Sequence, residues 1–320
     1  MLILITTFTV TLILTILIRT IANKQELLDH PNDRSSHSTP TPKGGGLAII
    51  ISFYIVITYL YVQSQVDTKL FFALLSALPV VIVSFLDDIY TLPAKIRFVI
   101  QLLSAVMAVV FLTGIESMNF TLFALEGSWV NILAVISIVW LTNLYNFLDG
   151  IDGYAGSETI FVGLSAYILF GNELALILAI ATVGFLVFNW HKASIFMGDV
   201  GSAPLGFIIA IFILNDAGTM NFLPWLMLLS LFWFDATLTL VRRAKLKESL
   251  TQAHNKHAYQ RLHQAGYSHA KVVIYATVVN IIIFITLYLS PTDITFYLFV
   301  VLLMVLYGLT RLIDTKKAFE

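Results

Sequence analysis

Five aspartates, two asparagines and a pair of histidines carry the chemistry open to this sequence. Asp87 and Asp88 are adjacent. Asn143, Asn146, Asp149 and Asp152 recur every three residues, Asp199 stands among glycines in Phe196-Met-Gly198-Asp199-Val-Gly201, and His254 and His257 are three apart. Two neighbouring carboxylates repel, so at least one titrates high unless a cation lies beside them. A metal, a lysine or a phosphate-activating role would each supply that partner. The chain has no cysteine, which removes disulfides and thiolate metal sites. Carboxylates in this number without thiolates favour a hard divalent ion, Mg2+ or Mn2+. Magnesium is usually held by one or two carboxylates together with substrate phosphates. Nearby cations then neutralise charge that builds on the transferring oxygens.

Each segment also has a plainer reading. At about 100° per residue, a three-residue step retreats by roughly 60°. Asn143, Asn146 and Asp149 then share one helix face while Asp152 turns to the far side, and Gly150 and Gly153 are expected to end the helix. Such polar groups at the mouth of a membrane helix need water, a metal or a ligand; a capped, solvated helix end is the alternative. The run Lys43-Gly44-Gly45-Gly46 either receives phosphate oxygens on free N–H groups or permits a tight helix–helix contact. Asp199 is a site residue or a turn aspartate, and Phe196 could stack on a flat ring such as a base. His254 and His257 are expected to share a helix face. With Lys256 and Arg261 they suit a phosphate better than zinc, for which further soft ligands are lacking. The Arg242–Lys247 cluster reads as contact with anionic lipid.

Membrane helices have to position these groups. The chain is 58% hydrophobic and 12% charged, against roughly 25% charge in soluble domains. Its net charge of −1 gives no reason to expect a nucleic-acid partner. Apolar runs fall at about 2–18, 44–62, 70–86, 97–113, 129–146, 158–170, 173–188, 203–215, 222–240, 272–290 and 294–310, each near the length a helix needs to cross a bilayer, though 158–170 and 203–215 are short. The expected fold is all-α: a single polytopic membrane domain over 1–320 with about 11 transmembrane helices. The first run lacks a basic n-region and a cleavage site, so it is read as a retained span. With the 19–43 loop inside, seventeen of the eighteen lysines and arginines lie on inner segments, leaving Lys69 outside. The positive-inside rule then places the N-terminus outside and the C-terminus in the cytoplasm. The loops at about 19–43, 87–97, 147–157, 189–203 and 241–271 hold nearly everything polar, so one face does the work. That arrangement suits phosphoryl transfer between a nucleotide in water and a lipid phosphate in the bilayer.

At this point the motifs resemble a known family, the polyprenyl-phosphate N-acetylhexosamine-1-phosphate transferases of glycosyltransferase family 4, relatives of the phospho-N-acetylmuramoyl-pentapeptide transferase. The matching segments are Pro40-Thr-Pro-Lys43-Gly-Gly-Gly46, Leu86-Asp-Asp88, Asn143 to Gly153 and Phe196 to Ser202. The resemblance implies a Mg2+-dependent reaction in which undecaprenyl phosphate attacks the β-phosphorus of a UDP-N-acetyl sugar and UMP leaves. It implies Asp199 as principal metal ligand with Asp88, and Asp87 and Asp88 as the groups that engage or deprotonate the lipid phosphate. Asn143, Asn146, Asp149 and Asp152 would bind nucleotide, with Phe196 near the uracil. Lys43 and Lys95 would meet phosphate, and His254, His257 and Arg261 complete the site. The pentapeptide transferase has three consecutive histidines where this chain has His254-Asn-Lys-His257-Ala-Tyr-Gln260, a pattern more similar to the branch that initiates O-antigen and other surface polysaccharides. A bacterial inner-membrane location, a cytoplasmic site and a homodimer are further implications. Two rivals fit less well. Ion-coupled transporters hold carboxylates near the midplane of repeated halves, whereas these crowd one edge. CDP-alcohol phosphotransferases need Ala-Arg soon after the first Asp-Gly, where this chain continues Ile151-Asp-Gly-Tyr154.

Overall fold

The computed structural model describes residues 1–31, 36–216, 221–249 and 254–319. It is all-α apart from two small hairpins. The helices are α1 (Leu2–Lys24), α2 (Gly46–Val62), α3 (Thr68–Leu75), α4 (Leu78–Tyr90), α5 (Ala94–Phe111), α6 (Val130–Phe147), α7 (Tyr154–Phe170), α8 (Glu173–Asn189), α9 (Asp199–Asp216), α10 (Leu223–Leu228), α11 (Ser230–Lys245), α12 (Ala258–Gln264), α13 (His269–Leu289) and α14 (Thr295–Lys316). Strands β1 (Leu28–Asp29) and β2 (Thr41–Pro42) pair antiparallel, as do β3 (Ser117–Asn119) and β4 (Ala124–Glu126).

Every apolar run lands on a helix or a broken helix. Seven of the described helical stretches are long and apolar enough to cross a membrane, and α2, α7 and α8 are shorter apolar helices. The chain is thus a polytopic all-α membrane protein. Two runs are interrupted. The 70–86 run breaks at Ser76–Ala77, where Pro79 near the start of α4 has no N–H to continue α3. The 222–240 run breaks between α10 and α11 at Leu229. Two starts move upstream. Helix α7 begins at Tyr154 rather than 158, which carries Glu158 into a buried position beside Asn280 of α13. Helix α9 begins at Asp199 rather than 203.

Lipid tails offer no hydrophobic drive between helices, so close contact rests on small residues and local polar bonds. Helix α1 shows both: Thr7, Thr11 and Thr15 are buried, and each donates its hydroxyl to the carbonyl four residues back. Opposite them on α8, a Cβ at Gly184 would stand 2.8 Å from the Phe8 carbonyl oxygen. A Cβ on Gly206 would overlap the Leu141 carbonyl oxygen, which lets α9 seat against α6. Helix α9 is the centre of the bundle, buried along nearly its whole length from Val200 to Leu214. Its first turn is therefore the fixed floor against which the other helix ends are placed.

Candidate active site

Helices alternate direction, so the end of α4, the start of α5, the end of α6, the start of α7, the end of α8 and the start of α9 meet at one end of the bundle. Asp88, at the end of α4, accepts from the backbone N–H groups of Asp199 at 3.3 Å and Val200 at 3.0 Å. Those amides are the unpaired donors of the first turn of α9 and favour a carboxylate there. Lys43 Nζ lies 3.9 Å from the same carboxylate. Asp87 accepts from the Leu92 N–H at 2.5 Å and from Arg97 Nη1 at 2.5 Å, and that same Nη1 donates to Asp199 Oδ2 at 3.0 Å. Asp149 borders the same cleft. Burial, and after it the charges of Asp199, Asp88 and Asp152, hold its carboxyl well above the usual carboxylate range.

The donor set fits a hard divalent ion. Fully ionised, Asp87, Asp88, Asp149 and Asp199 would carry four negative charges against the two positive charges of Lys43 and Arg97; a divalent ion would offset the remaining two, and the available ligand atoms are oxygens. Two clefts open from this centre. One, of about 280 Å³, is lined by Lys43, Asp88, Asp149, Asp152, Asn189, Phe196, Asp199, Gln260 and His269. The other, of about 650 Å³, is lined by Lys95, Arg97, Gln101, Asn143, Asn146, Asp199, His254 and His257. Asn146 borders both and donates to Ser202 Oγ at 3.2 Å. Asn143 donates to Gln101 Oε1 at 2.7 Å and to the Val139 carbonyl.

Gly45 and Gly46 serve packing. The Gly45 and Gly46 N–H groups donate to the carbonyls of Phe196 and Met197, both at 2.9 Å, so neither is free for a phosphate. A Cβ on Gly46 would overlap the Cα of Gly201, so α2 and α9 touch backbone to backbone. The Phe196 N–H in turn donates to the Pro42 carbonyl at 2.8 Å. This ladder seats Phe196 in the wall of the smaller cleft, with the His37 ring edge-on to it at 4.9 Å. Asp33 and Arg34 of this loop lie outside the described residues.

Several side chains sit elsewhere than expected. Helix α6 ends at Phe147, before Gly150, and Asp149 follows the helix instead of continuing its face. Gly150 is needed because the Tyr259 hydroxyl, donating to the Phe147 carbonyl, occupies the space of its Cβ. Asp152 too lies beyond the helix, so the far-side expectation does not apply to it; it sits in a polar nest. Its Oδ2 lies 3.0 Å from His191 Nδ1 and 3.1 Å from His269 Nδ1, and accepts from the Ala193 N–H at 3.2 Å. Burial alone would raise the Asp152 pKa; hydrogen bonds from His269 and His191 outweigh it and hold the carboxyl below its ordinary range. The described residues offer one set of ligand-type groups within 4.8 Å of one another, Asp152, His191 and His269, and these hydrogen bonds account for it.

His254 and His257 do not share a helix face. His257 is the residue before α12 and His254 lies in the preceding loop, yet their rings come within 4.8 Å on the wall of the larger cleft. Asp235 of α11 anchors this arrangement: both its oxygens accept from the Ala258 N–H at 2.9 Å, and it lies 3.8 Å from His257 Nδ1. Arg261 points away from both clefts. It is buried and pairs with Asp314 of α14 at 2.5 Å, together with Arg242. A phosphate role for Arg261 has no footing in that position. Nor do Arg242 and Arg243 reach out to lipid, since Asp314 and Glu248 hold them; Lys256 pairs with Glu248 as well. The second cation at the acidic centre, beside Lys43, is Arg97, ten residues after Asp87. Its sequence signal was a basic residue on the first turn of the helix that follows the Asp-Asp pair.

Similarity to known proteins points to a family. Residues 70–216 match the model of a family described as glycosyl transferase family 4. Over 314 residues the chain is 32% identical to a probable undecaprenyl-phosphate N-acetylglucosaminyl 1-phosphate transferase of Bacillus subtilis, covering 92% of this chain and 86% of the relative. It is 27% identical over 302 residues to the decaprenyl-phosphate N-acetylglucosaminephosphotransferase of Mycobacterium leprae, covering 81% and 75%. A phospho-N-acetylmuramoyl-pentapeptide-transferase of Halalkalibacterium halodurans is 33% identical over 197 residues, covering 53% and 59%.

Proposed function

Because the chain belongs to glycosyl transferase family 4, we propose that it transfers an N-acetylhexosamine 1-phosphate, N-acetylglucosamine first among them, from a UDP-sugar to undecaprenyl phosphate. An oxygen of the lipid phosphate forms a bond to the β-phosphorus of the donor. The bond from that phosphorus to the bridging oxygen breaks, and UMP leaves with the electron pair. The reaction lies at the cytoplasmic face of the bacterial inner membrane and begins the assembly of a surface polysaccharide. The observation that carries this reading is the convergence of Asp87, Asp88, Asp149 and Asp199 with Lys43 and Arg97 at the ends of apolar helices.

Asp199, Asp88 and Asp149 would hold a Mg2+ ion, which supplies charge neutralisation on phosphate oxygens when bound. The protein's own part is placement. Lys43 presents an ammonium to the diphosphate from the smaller cleft, and Phe196 offers a ring face to the uracil. Asn146, shared by the two clefts, marks where donor and acceptor meet. Lys95, Arg97, His254 and His257 line the larger cleft, where a lipid phosphate would enter with its chain still in the bilayer. Positioning and electrostatics are what phosphoryl transfer asks of a protein.

The test is purified protein in detergent with undecaprenyl phosphate, Mg2+ and a panel of UDP-N-acetyl sugars, scored by UMP release. Release with one sugar that requires the lipid and ceases on chelation supports the reading and names the donor. Folded protein that makes no lipid-linked product with the panel, nor with a cell extract as donor source, rejects it.

A further inference from the structure

Arg97 occupies a position that a bound divalent ion would contest. A single nitrogen, Nη1, serves both Asp87 Oδ2 and Asp199 Oδ2. Among the described residues, Arg97 Nε and Nη2 make no hydrogen bond or ion pair with protein. Its side chain is 32% exposed on the wall of the larger cleft, and that of Asp199 is 33% exposed. Asp87 is 10% exposed and keeps a second anchor in the Leu92 N–H. The Arg97–Asp199 arm of this bridge is therefore the loose one, and the Arg97–Asp87 arm is the pivot.

We propose that Arg97 is a latch that holds Asp199 while no metal is bound, yields Asp199 when a divalent ion takes it, and swings about Asp87 to present its guanidinium to a phosphate in the larger cleft. A divalent ion bound to Asp199 Oδ2 would compete with the guanidinium nitrogen 3.0 Å away for one lone-pair region, and the two cations would repel each other. Of the two carboxylates on Nη1, Asp87 keeps the Leu92 N–H as a second anchor, so Asp199 is the one that exchanges partners. The planar fork of arginine suits the second half of the cycle, since it matches phosphate oxygens two at a time. Arg97 is thus a positioning residue for the metal and a binding residue for phosphate. This inference rests on the transferase reading for its second half and on the local geometry alone for its first.

The latch makes a prediction opposite to that for an ordinary site residue: removing it strengthens metal binding while weakening catalysis. Mn2+ serves as the probe, titrated against the purified full chain without sugar or lipid and read by the free-ion signal in electron paramagnetic resonance. Arg97→Gln is expected to bind Mn2+ about tenfold more tightly, as loss of one positive charge a few ångströms away implies, while UMP release falls by about a hundredfold. Arg97→Lys, which keeps the charge and the fold but loses the fork, should show near-wild-type Mn2+ affinity and still release UMP poorly. Unchanged or weaker Mn2+ binding in folded Arg97→Gln overturns the latch, as does a wild-type chain that binds no Mn2+. If Arg97→Gln does not fold, Arg97→Lys decides: full UMP release overturns the phosphate half. Tighter Mn2+ binding in Arg97→Gln with no UMP from any donor keeps the latch and rejects the transferase reading.

Discussion

Asp88 lies across the first turn of the helix that begins with Asp199, its two oxygens accepting from the N–H groups of Asp199 and Val200. The two acids, 111 residues apart in the chain, are thereby held as one unit. Gly198 makes the approach feasible. It has φ +75°, and a Cβ there would stand 2.8 Å from Asp88 Oδ2. Gly198→Ala is expected to combine backbone strain of about 1–2 kcal/mol with displacement of Asp88. UMP release should fall at least tenfold while the protein still purifies as a folded species. Wild-type turnover in that variant would mean that the Asp88–Asp199 contact is dispensable.

Asp199→Asn keeps shape and removes charge from the proposed metal site. Turnover should drop by about a hundredfold or more, in line with loss of several kcal/mol of charge stabilisation, and Mn2+ affinity should fall with it. Retained Mn2+ affinity would move the metal to Asp88 and Asp149.

Burial, then the neighbouring charges of His257 and Arg243, lower the His254 pKa to about 4 from an ordinary 6.5. Between those values the unfolded chain binds a proton that the folded chain does not, so stability rises with pH across the window. Acidification from pH 6.5 towards 4 should therefore lower the melting temperature of the wild type more steeply than that of His254→Gln, which has no titrating group there. Parallel melting curves across that range would refute the assignment.

Gly46 packs against Gly201 with no room for a methyl. Gly46→Ala should separate α2 from α9 and destabilise by about 1–3 kcal/mol, the usual range for overpacking. Thermal unfolding in detergent measures it. If stability is unchanged but the KM for the UDP-sugar rises, the glycine run serves phosphate after all.

Asp314 neutralises buried Arg261 together with Arg242. Asp314→Asn leaves buried positive charge with a weaker partner and should destabilise by up to about 3–5 kcal/mol. The KM for the UDP-sugar should stay near wild type, because Arg261 faces neither cleft. A large rise in KM with unchanged stability would restore Arg261 to the site.

The membrane architecture was legible in the chain itself. A bilayer obliges each crossing to satisfy its backbone within one helix, so the apolar runs appear as uninterrupted letters. Only local features escaped that reading, such as the breaks at Ser76–Ala77 and Leu229. Motif order likewise announced which acids gather at the candidate site, because Asp87, Asp88, Asp149 and Asp199 each lie next to a helix end. What the letters could not convey is which partner each side chain takes. Arg97 and Arg261 look alike as basic residues beside candidate motifs, and packing sends one to Asp87 and Asp199 and the other to Asp314. Gly45 and Gly46 suit a phosphate as well as a helix contact until the carbonyls of Phe196 and Met197 claim their N–H groups. Asp152 meets His191 and His269, 39 and 117 residues away, through no periodicity at all. Hydrophobic crossing is a property of one segment and is written locally. Charge pairing and hydrogen bonding depend on distances of about 3 Å between segments, and only the folded bundle sets those distances.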